Sequence, residues 1–571
     1  MIHYFMRIGT EFTVTNMRIL SVKPIDQSIM LVDGYLDEPS CLGVPPYISP
    51  QIRYAYGALL DLGIDPSRIT YVTIDELRRD KDRYLDTAKR AHAVVVIAGA
   101  TVPGRYLGGR PISLREISQL AMDVEPVPLV LGGPIVLCQE AVPGVDFTCG
   151  EIAATSLQAL LGGKAEPDGN DQQLWAARIA RFAILGAELT TKHPSFPHVV
   201  CELETFRGCP RQQNCAFCSE GLKQVRYQRP VEDVVKEVEA LARLGNRYYR
   251  LGCQTDLFSY GAKARQGQLY PEPAVIRDLY QGIRQVAPDL EVLHLDNVNP
   301  ATIMRDPQAS KAIMEIICQY NTPGDVAAFG LESADLAVLT ANQVETSPEE
   351  TLEAIRLMNE IGGQRRDGIP LLLPGLNLIH GLAGERRETI ELNFSYLRGL
   401  LEQDLLVRRI NIRQVLSWGD YREVKLSPWR FQEYKERVNT EINKPMLQKI
   451  FPSGTILRGV HIEEVKGQIS FGRQLGSYPI LVGIPGEEPI GSILNVVVID
   501  HGYRSITALP VPFHINRASV ARLAAIPGMG RRRATRVFLA NPIADAHHLE
   551  EILDGQVDLA AILPFCDFSL C

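Results

Sequence analysis

Short apolar runs alternate with segments of helical pattern between residues 17 and 165. Five runs rich in β-branched residues cover residues 28–34, 69–74, 93–99, 127–133 and 145–151. This alternation predicts an α/β fold, a doubly wound, Rossmann-like parallel sheet with helices between its strands. Such sheets bind ligands beyond the carboxyl ends of their strands, where Gly99, Gly132, Gly133 and Gly150 fall.

A second set of strand-like runs follows a polar connector at residues 166–195 and extends over residues 196–420. Six runs alternate with helical segments, at 199–204, 248–256, 290–297, 326–333, 374–385 and 408–416. Repeated units of this length predict a (partial) β/α barrel with its chemistry at the carboxyl ends of the strands. The polar residues expected at those ends are Gln254, Asp256, Asn297, Glu332, Ser333, Asn377 and Glu385.

The pattern changes again after residue 420. Residues 421–512 begin with a helical stretch and continue as short β-like runs between glycine turns, which predicts a small β-barrel-like region. Residues 513–571 contain a glycine turn between two helical patterns, which is typical of a helix-hairpin-helix. The turn exposes backbone N–H groups, and Arg531, Arg532, Arg533 and Arg536 add positive charge. Nucleic-acid binding through residues 523–536 is one interpretation, but packing or partner docking is favoured.

Composition is that of a globular protein. Of the 571 residues, 46% are hydrophobic and 22% are charged, and the length predicts three or four domains. No apolar run reaches roughly 18 residues, so no membrane span is expected. Residues 1–16 lack the charged head and apolar core of a signal peptide, and 11 cysteines in a long chain suit a reducing compartment. We therefore expect a cytoplasmic protein, whose net charge of −8 argues against nucleic-acid binding over its whole surface.

Three cysteines stand close together at the start of the predicted barrel. Five residues separate Cys209 from Cys215 and two separate Cys215 from Cys218, directly after a strand-like run and the turn residue Gly208. Three thiolates on one loop can hold three irons of a [4Fe-4S] cluster, which leaves the fourth iron open for a substrate or cofactor. A zinc knuckle needs a fourth Cys or His nearby, and the next 30 residues contain neither. We predict a cluster, with zinc or incidental thiols as the alternatives.

The segments Arg207-Gly208-Cys209-Pro210 and Cys215-Ala216-Phe217-Cys218 resemble the cluster loop of radical SAM enzymes, where a spacing of three and then two residues is more common. Residues 330–333 (Gly-Leu-Glu-Ser) and 381–385 (Gly-Leu-Ala-Gly-Glu) resemble the fourth- and fifth-strand motifs of that family. The resemblance implies S-adenosyl-L-methionine (SAM) as cofactor and Cys209, Cys215 and Cys218 as catalytic cluster ligands. It also implies SAM contacts from Gln254, Asn297, Glu332, Ser333 and Asn377. Gly252-Cys253-Gln254 stands where the family usually has Gly-Gly-Glu.

The domain predicted before this core resembles the cobalamin-binding domain of cobalamin-dependent radical SAM enzymes. The run Leu42-Gly43-Val44-Pro45-Pro46-Tyr47 is similar to the first corrinoid loop of that family. The resemblance implies corrinoid contacts from Tyr47, Thr101, Gly132, Gly133, Gly150 and Glu151. The sequence Asp-x-His-x-x-Gly, which supplies a cobalt-ligating histidine in other cobalamin proteins, is absent. The implied cobalamin is therefore base-off, without a protein histidine ligand.

A cobalamin-like domain, a radical SAM core and a helix-hairpin-helix follow one another in this chain. This domain order resembles that of one archaeal group of enzymes. This group includes glutamine C-methyltransferases of methyl-coenzyme M reductase in methanogens. The resemblance implies post-translational methylation of an unactivated sp3 carbon, the Cα of a glutamine in the reductase α-subunit. It does not identify the electron donor.

Two alternatives remain open. A radical SAM methylthiotransferase of tRNA has a similar domain order, but it needs three cysteines in its first domain, and the spacing of Cys41, Cys138 and Cys149 does not match. Another nucleic-acid-modifying radical SAM enzyme is the second alternative. A non-enzymatic protein with a structural cluster does not explain the fourth- and fifth-strand motifs.

Overall fold

The structure is a computed structural model that describes residues 26–38, 41–99, 108–137, 141–416 and 421–569. Thr101 and Cys138 lie outside the described residues. The chain divides into two compact units. The first comprises Met1–Tyr320, Asn342–Glu345 and Leu416–Glu423, and the second comprises Asn321–Ala341, Thr346–Val415 and Val424–Cys571. The four domains and the connector predicted from sequence are thus distributed over two units, and the predicted core at 196–420 is divided between them.

A five-stranded parallel sheet begins the first unit. Its strands are β1 (Ile29–Asp33), β3 (Ile69–Thr73), β4 (Ala93–Ile97), β5 (Leu129–Gly132) and β6 (Phe147–Thr148), while β2 (Tyr47–Ile48) belongs to a second sheet. The order is β3-β1-β4-β5-β6 and every pair is parallel, which confirms the doubly wound sheet. Counted within the sheet, this is the 2-1-3-4-5 order of flavodoxin-like folds. The topological switch point therefore lies between β1 and β4.

Helices cover both faces of this sheet. They are α1 (Pro50–Asp61), α2 (Ile74–Arg79), α3 (Lys81–Ala88), α4 (Leu114–Val124) and α5 (Ala153–Gly162). Every residue of β1, β4 and β5 is buried, as expected for strands covered on both faces. On one face, alternate strand residues such as Val32 and Val96 share a core with apolar residues of α2, α3 and α4. Thr73 with Glu76 and Ser113 with Glu116 form capping boxes that fix the starts of α2 and α4.

The first unit also contains a four-stranded parallel sheet. It consists of β7 (Val200–Glu204), β10 (Tyr248–Gly252) and β13 (Val292–Leu295) together with β2, in the order β13-β10-β7-β2. Two ribbons pair β8 (Phe206–Arg207) with β9 (Tyr227–Gln228), and β11 (Lys263–Arg265) with β12 (Gln268–Tyr270). The helices of this part are α6 (Gln172–Gly186), α7 (Val231–Arg243), α8 (Pro273–Val286), α9 (Pro300–Arg305) and α10 (Pro307–Tyr320).

The position of β2 differs from the sequence-based expectation. Tyr47 was assigned to the first domain, yet Tyr47 and Ile48 pair with Val200 and Cys201 of β7. This pairing joins segments far apart along the chain, so no local periodicity could predict it.

The second unit holds a three-stranded parallel sheet in the order β14-β17-β18. The strands are β14 (Asp325–Glu332), β17 (Leu372–His380) and β18 (Arg409–Gln414), and a short ribbon pairs β15 (Arg365–Arg366) with β16 (Ile369–Pro370). The helices of this part are α11 (Leu336–Ala341), α12 (Pro348–Gly362) and α13 (Arg387–Glu402). The six strands predicted for the partial barrel are all present, three in each of two hydrogen-bonded sheets.

A closed five-stranded barrel follows two helices, α14 (Pro428–Val438) and α15 (Lys444–Ile450). Its strands are β19 (Ile456–Lys466), β20 (Ile469–Gln474), β21 (Leu481–Pro485), β22 (Ile493–His501) and β23 (Ser505–Pro510). The order is β19-β20-β21-β23-β22, with β21 and β23 parallel and the other pairs antiparallel. This topology is that of the oligonucleotide-binding (OB) fold. The predicted small barrel is confirmed, although β23 was not predicted.

The C-terminal segment contains α16 (Val520–Ala524), α17 (Gly530–Leu539) and α18 (Ala546–Leu553), with β24 (Phe513–His514) paired to β25 (Cys566–Asp567). The predicted pair of helices around a glycine turn is present, and Gly528 in that turn has a φ of +77°. Val497 and Leu509 of the barrel share one core with Leu523 and other apolar residues of this segment. The barrel and these helices therefore pack together. Across the described ranges, no helix is long and apolar enough to cross a membrane.

Candidate active site

The cysteine loop is held at both ends by the ribbon of β8 and β9. Phe206 and Arg207 pair with Gln228 and Tyr227, so the chain enters and leaves the loop side by side. Gly208 follows β8 with a φ of +88°, and a Cβ at this position would lie 3.0 Å from Cγ of Arg226. Both the backbone angle and the close approach favour glycine at the start of the loop.

The three cysteines of the loop differ in exposure. Cys209 is buried, and Cys215 and Cys218 are partly buried. The backbone N–H of Cys218 donates to the carbonyl of Cys215 at 3.1 Å. Burial raises the pKa of the Cys209 and Cys218 thiols. Arg211 donates from Nη1 to Sγ of Cys215 at 2.9 Å, and its positive charge favours the thiolate form that binds metal.

The donor set of this loop fits an iron–sulfur cluster. In the part of the chain that the structure describes, no group of three His, Cys, Asp or Glu side chains is already arranged around a metal position. Three thiols on one short loop, with a guanidinium beside them, are nevertheless the ligands that such a cluster requires. Cys209, Cys215 and Cys218 would hold it.

Residues from two distant segments support the loop. The backbone N–H of Ala216 donates to the carbonyl of Asn342 at 3.0 Å, and Tyr421 donates to Oδ1 of Asn342 at 2.6 Å. Arg211 forms an ion pair with Glu345 at 3.1 Å. These contacts fix the guanidinium of Arg211 next to Cys215.

Two residues predicted to contact SAM lie together in the first unit, beyond β10 and β13. Nδ2 of Asn297 donates to the carbonyl of Gln254 at 3.2 Å. The buried Gln254 side chain donates to the carbonyl of Leu251 at 2.6 Å and accepts from Thr205 at 3.3 Å. The amide of Gln254 is therefore satisfied within the protein, and SAM contacts from these residues stay predictions.

The other three predicted SAM residues lie in the second unit. Glu332 ends β14 with a φ of +61°, an unusual angle for a residue other than glycine. Burial raises its pKa to about 8, and its Oε2 has no hydrogen-bond partner among the described residues. Ser333 donates to Oδ1 of Asn393 at 3.2 Å, and Oδ1 of Asn377 accepts from Asn411 at 3.2 Å. Glu332 thus carries a buried carboxylate oxygen without a hydrogen-bond partner among the described residues.

Sequence reasoning missed the polar face of β18. Arg409, Asn411 and Arg413 alternate along this strand, so their side chains lie on one face. Arg413 interacts electrostatically with Glu332 and lowers its pKa against the effect of burial. The period-two pattern of these residues was a sequence signal for a polar strand face.

Glycines mark the carboxyl edge of the first sheet, where corrinoid contacts were predicted. Gly133 has a φ of +90°, and a Cβ there would lie 2.5 Å from the carbonyl oxygen of Ala98. A Cβ on Gly132 would lie 2.7 Å from Cβ of Ala153, and one on Gly150 would lie 3.2 Å from Oγ of Ser156. Glycine at these positions therefore lets this edge pack closely against Ala98, Ala153 and Ser156. The corrinoid contacts of Gly132, Gly133 and Gly150 stay predictions. Tyr47 lies in β2, and Thr101 is outside the described residues, so neither prediction is tested.

Glu151 connects this edge to the cysteine loop. Its Oε1 accepts from Nε and Nη2 of Arg207 at 3.2 and 3.0 Å, directly before Gly208. Its Oε2 accepts from the backbone N–H groups of Gln224 and Val225, both at 2.9 Å. We call this set of contacts the Glu151–Arg207 clamp. The clamp fixes the segment after β6 to the ribbon that carries the cysteine loop, whereas a corrinoid contact from Glu151 stays a prediction.

Comparison with known proteins agrees with this geometry. Residues 203–391 match the radical SAM superfamily. The chain contains a radical SAM domain. An uncharacterized protein from Archaeoglobus fulgidus is 40% identical over 538 residues, which cover 91% of this chain and 97% of the relative. The chain belongs to the same family as this archaeal protein. An uncharacterized protein from Methanocaldococcus jannaschii is 38% identical, and the match covers 84% of this chain and 92% of that relative.

A solved structure shows a weaker likeness. The radical S-adenosylmethionine methyltransferase TsrM from Kitasatospora setae, bound to tryptophan and a SAM analogue, is 16% identical with a TM-score of 0.47. The match covers 77% of this chain and 79% of that chain. A likeness at this level does not establish a shared activity.

Proposed function

We propose that this chain is a cobalamin-dependent radical SAM C-methyltransferase that methylates an unactivated sp3 carbon. The Glu151–Arg207 clamp is the observation that carries the proposal. It joins the carboxyl edge of a flavodoxin-like sheet, the edge at which such sheets bind ligands, to the ribbon that bears the cysteine loop. A radical SAM domain with a second ligand-binding edge fixed to its cysteine loop is the arrangement that a two-cofactor methyl transfer needs.

When bound, the cluster, SAM and cobalamin supply the one-electron chemistry and the methyl group. The chain supplies ligands, charge and shape. Cys209, Cys215 and Cys218 provide the thiolates, and Arg211 offsets part of their negative charge. Gly132, Gly133 and Gly150 allow close backbone packing at the carboxyl edge of the first sheet, which is the edge that would hold the corrinoid.

The acceptor that we propose from the sequence resemblance is the Cα of a glutamine in the α-subunit of methyl-coenzyme M reductase. The resemblance in domain order supports this acceptor. A nucleic-acid acceptor is a second candidate, and the OB topology of the barrel favours it.

Anaerobic reconstitution tests the cofactor part of the proposal. We expect the full-length protein, supplied with iron, sulfide and hydroxocobalamin, to show a cobalamin absorbance band beside the iron–sulfur shoulder. With SAM, a reductant and a glutamine peptide of the reductase, we expect 5′-deoxyadenosine and a peptide heavier by one methylene group. Cys566→Ala, a substitution in the C-terminal segment, is the matched control for a lost thiol and should retain both signals.

Two results would contradict the proposal. Two iron–sulfur clusters with no bound cobalt would indicate methylthiolation instead. Bound cobalamin with SAM cleavage but no methyl transfer to the peptide would retain the cofactor assignment and reject this acceptor.

A further inference from the structure

The loop between β1 and β2 leaves the first sheet at its topological switch point. The backbone N–H of Gly34 donates to the carbonyl of Ile97 at 2.9 Å, so the loop begins beside the end of β4. Further along, the backbone N–H of Glu38 donates to the carbonyl of Cys41 at 2.9 Å and closes a turn. Doubly wound sheets bind their ligand in the crevice at the switch point. Glu38 therefore lies on a loop that borders this crevice.

The carboxylate of Glu38 is buried with one of its oxygens unused. The side chain is 9% exposed, and its Oε2 lies 3.7 Å from Nζ of Lys223. Its Oε1 is buried and accepts no hydrogen bond from any residue that the structure describes. Because a buried carboxylate oxygen without a donor raises the free energy of the folded state, such an atom indicates a ligand or an ordered water that supplies the donor.

Lys223 is shared between two carboxylates. Its Nζ donates to Oε1 of Glu220 at 2.5 Å, and the side chains of Lys223 and Glu220 are 5% and 4% exposed. Lys223 follows Cys218 by five residues, so its ion pair with Glu38 joins the loop at the switch point to the segment after the cysteine loop. One ammonium group between two buried carboxylates leaves a surplus of negative charge. This surplus favours a ligand that donates an N–H group over an anionic ligand.

Cobalamin carries donors of this kind. Primary amides project from the rim of its corrin ring, and each has two N–H groups that a carboxylate oxygen can accept. A charge-assisted hydrogen bond of this type is stronger than one between neutral groups. The orphaned Oε1 of Glu38 at the switch point therefore fits the corrinoid that is proposed for this sheet.

We propose that Glu38 is a corrinoid-binding residue whose Oε1 accepts a hydrogen bond from a primary amide on the rim of cobalamin. Lys223 binds the other oxygen, so only Oε1 faces the ligand. Glu38 was not among the residues that the sequence resemblance implied. The inference rests on the proposed function, which supplies the cobalamin, and deepens it by naming a residue that selects between corrinoids.

Selectivity is the property that separates a ligand contact from a structural role. A corrinoid with a carboxylate in place of the recognised amide would bring a second negative charge against Oε1 without a donor. Glu38 should therefore favour the amide form. A residue that only held the loop in place would affect the binding of both forms equally.

Equilibrium titration followed by absorbance tests the inference. Hydroxocobalamin and, separately, each of its monocarboxylic acids, in which one propionamide is replaced by a propionate, are added to the full-length, cluster-reconstituted protein. SAM and reductant are absent, so no reaction is needed for the readout. Glu38→Gln is nearly isosteric and leaves the pair of Lys223 and Glu220 in place. The matched control is Glu125→Gln, which changes an exposed glutamate at the end of α4. Iron content verifies that each variant is folded.

We expect the unchanged protein to bind hydroxocobalamin about tenfold or more tightly than at least one of the monocarboxylic acids, the effect of one hydrogen bond to a charged group. In Glu38→Gln, this preference should disappear or reverse. The ammonium of Lys223 attracts the amide oxygen of the new side chain, so its NH₂ group faces the corrinoid and donates to the carboxylate. Glu125→Gln should keep the preference of the unchanged protein.

Three results would overturn the inference, and they are distinguishable. Equal affinity of the unchanged protein for hydroxocobalamin and all the acids would reject the amide contact, as would a preference that is the same in Glu38→Gln. A loss of SAM binding in Glu38→Gln, with corrinoid binding unchanged, would assign Oε1 to SAM. Both of these results leave the cobalamin assignment intact, whereas no binding of hydroxocobalamin to the unchanged protein would reject that assignment and this inference together.

Discussion

Removal of the Glu151 carboxylate should destabilise the junction between the first sheet and the cysteine loop. In Glu151→Ala, Arg207 loses an ion pair in which its side chain is 3% exposed and that of Glu151 is 11% exposed. Removing one partner of a buried pair costs about 3–5 kcal/mol, because the other charge stays buried. Glu204 and Glu38 still interact with Arg207, so we expect a cost near the lower limit, about 3 kcal/mol.

Hydrogen exchange in the apoprotein measures the loss of stability at individual backbone N–H groups. A local measurement is needed because a chain of this length need not unfold in one step. The backbone N–H groups of Gln224 and Val225 donate to Glu151, so their exchange reports the clamp directly. A loss of about 3 kcal/mol corresponds to exchange that is about 100-fold faster.

Glu239→Ala is the matched control. Glu239 pairs with Arg243 on the surface of α7, with side-chain exposures of 37% and 75%. An exposed pair of this kind contributes at most about 1 kcal/mol. If exchange at Gln224 and Val225 changes no more in Glu151→Ala than in Glu239→Ala, the clamp does not stabilise this junction and the reasoning is refuted.

Three further predictions follow from single residues. In urea denaturation, Gly133→Ala should lower the free energy of unfolding by about 1–3 kcal/mol more than Gly63→Ala does. Both glycines have positive φ, but only a Cβ at Gly133 would lie against backbone atoms. Equal losses in the two variants would contradict this prediction. The pKa of Glu332 is raised from 4.5 to about 8, so folding favours the protonated form and stability should fall as pH rises through this range. Glu332→Gln should remove that fall in pH-dependent unfolding, and an unchanged profile would disprove it. Cys215→Ala should lose most of the bound iron and all SAM cleavage, with Cys566→Ala as the control. Full retention of iron and of SAM cleavage in Cys215→Ala would reject the cluster assignment.

Local signals in the sequence predicted much of the framework. The alternation of β-branched runs with helical patterns predicted the five strands of the first sheet and the six strands of the core, because strand periodicity depends on each residue's own side chain. The segment at 145–151 was overestimated, since only Phe147 and Thr148 form a strand. The spacing of Cys209, Cys215 and Cys218 predicted a cluster loop, because ligands on one loop are close in sequence as well as in space.

Contacts between distant segments could not be predicted in this way. The pairing of Tyr47 with β7 and the partners of Glu151 depend on which surfaces meet after the chain folds. The same holds for Tyr478 beside Arg409, since neither residue alone indicates the other as its partner.

The amino-acid sequence by itself thus determined the types of elements, the ligand loop and the chemistry that the loop can support. Only the tertiary structure decided that β21 pairs with β23, that Glu151 holds the ribbon of the cysteine loop, and that Tyr478 of the barrel contacts Arg409 of β18. The physical reason is that periodicity and ligand spacing are short-range properties, whereas strand order and buried ion pairs depend on residues brought together by the collapse of the whole unit.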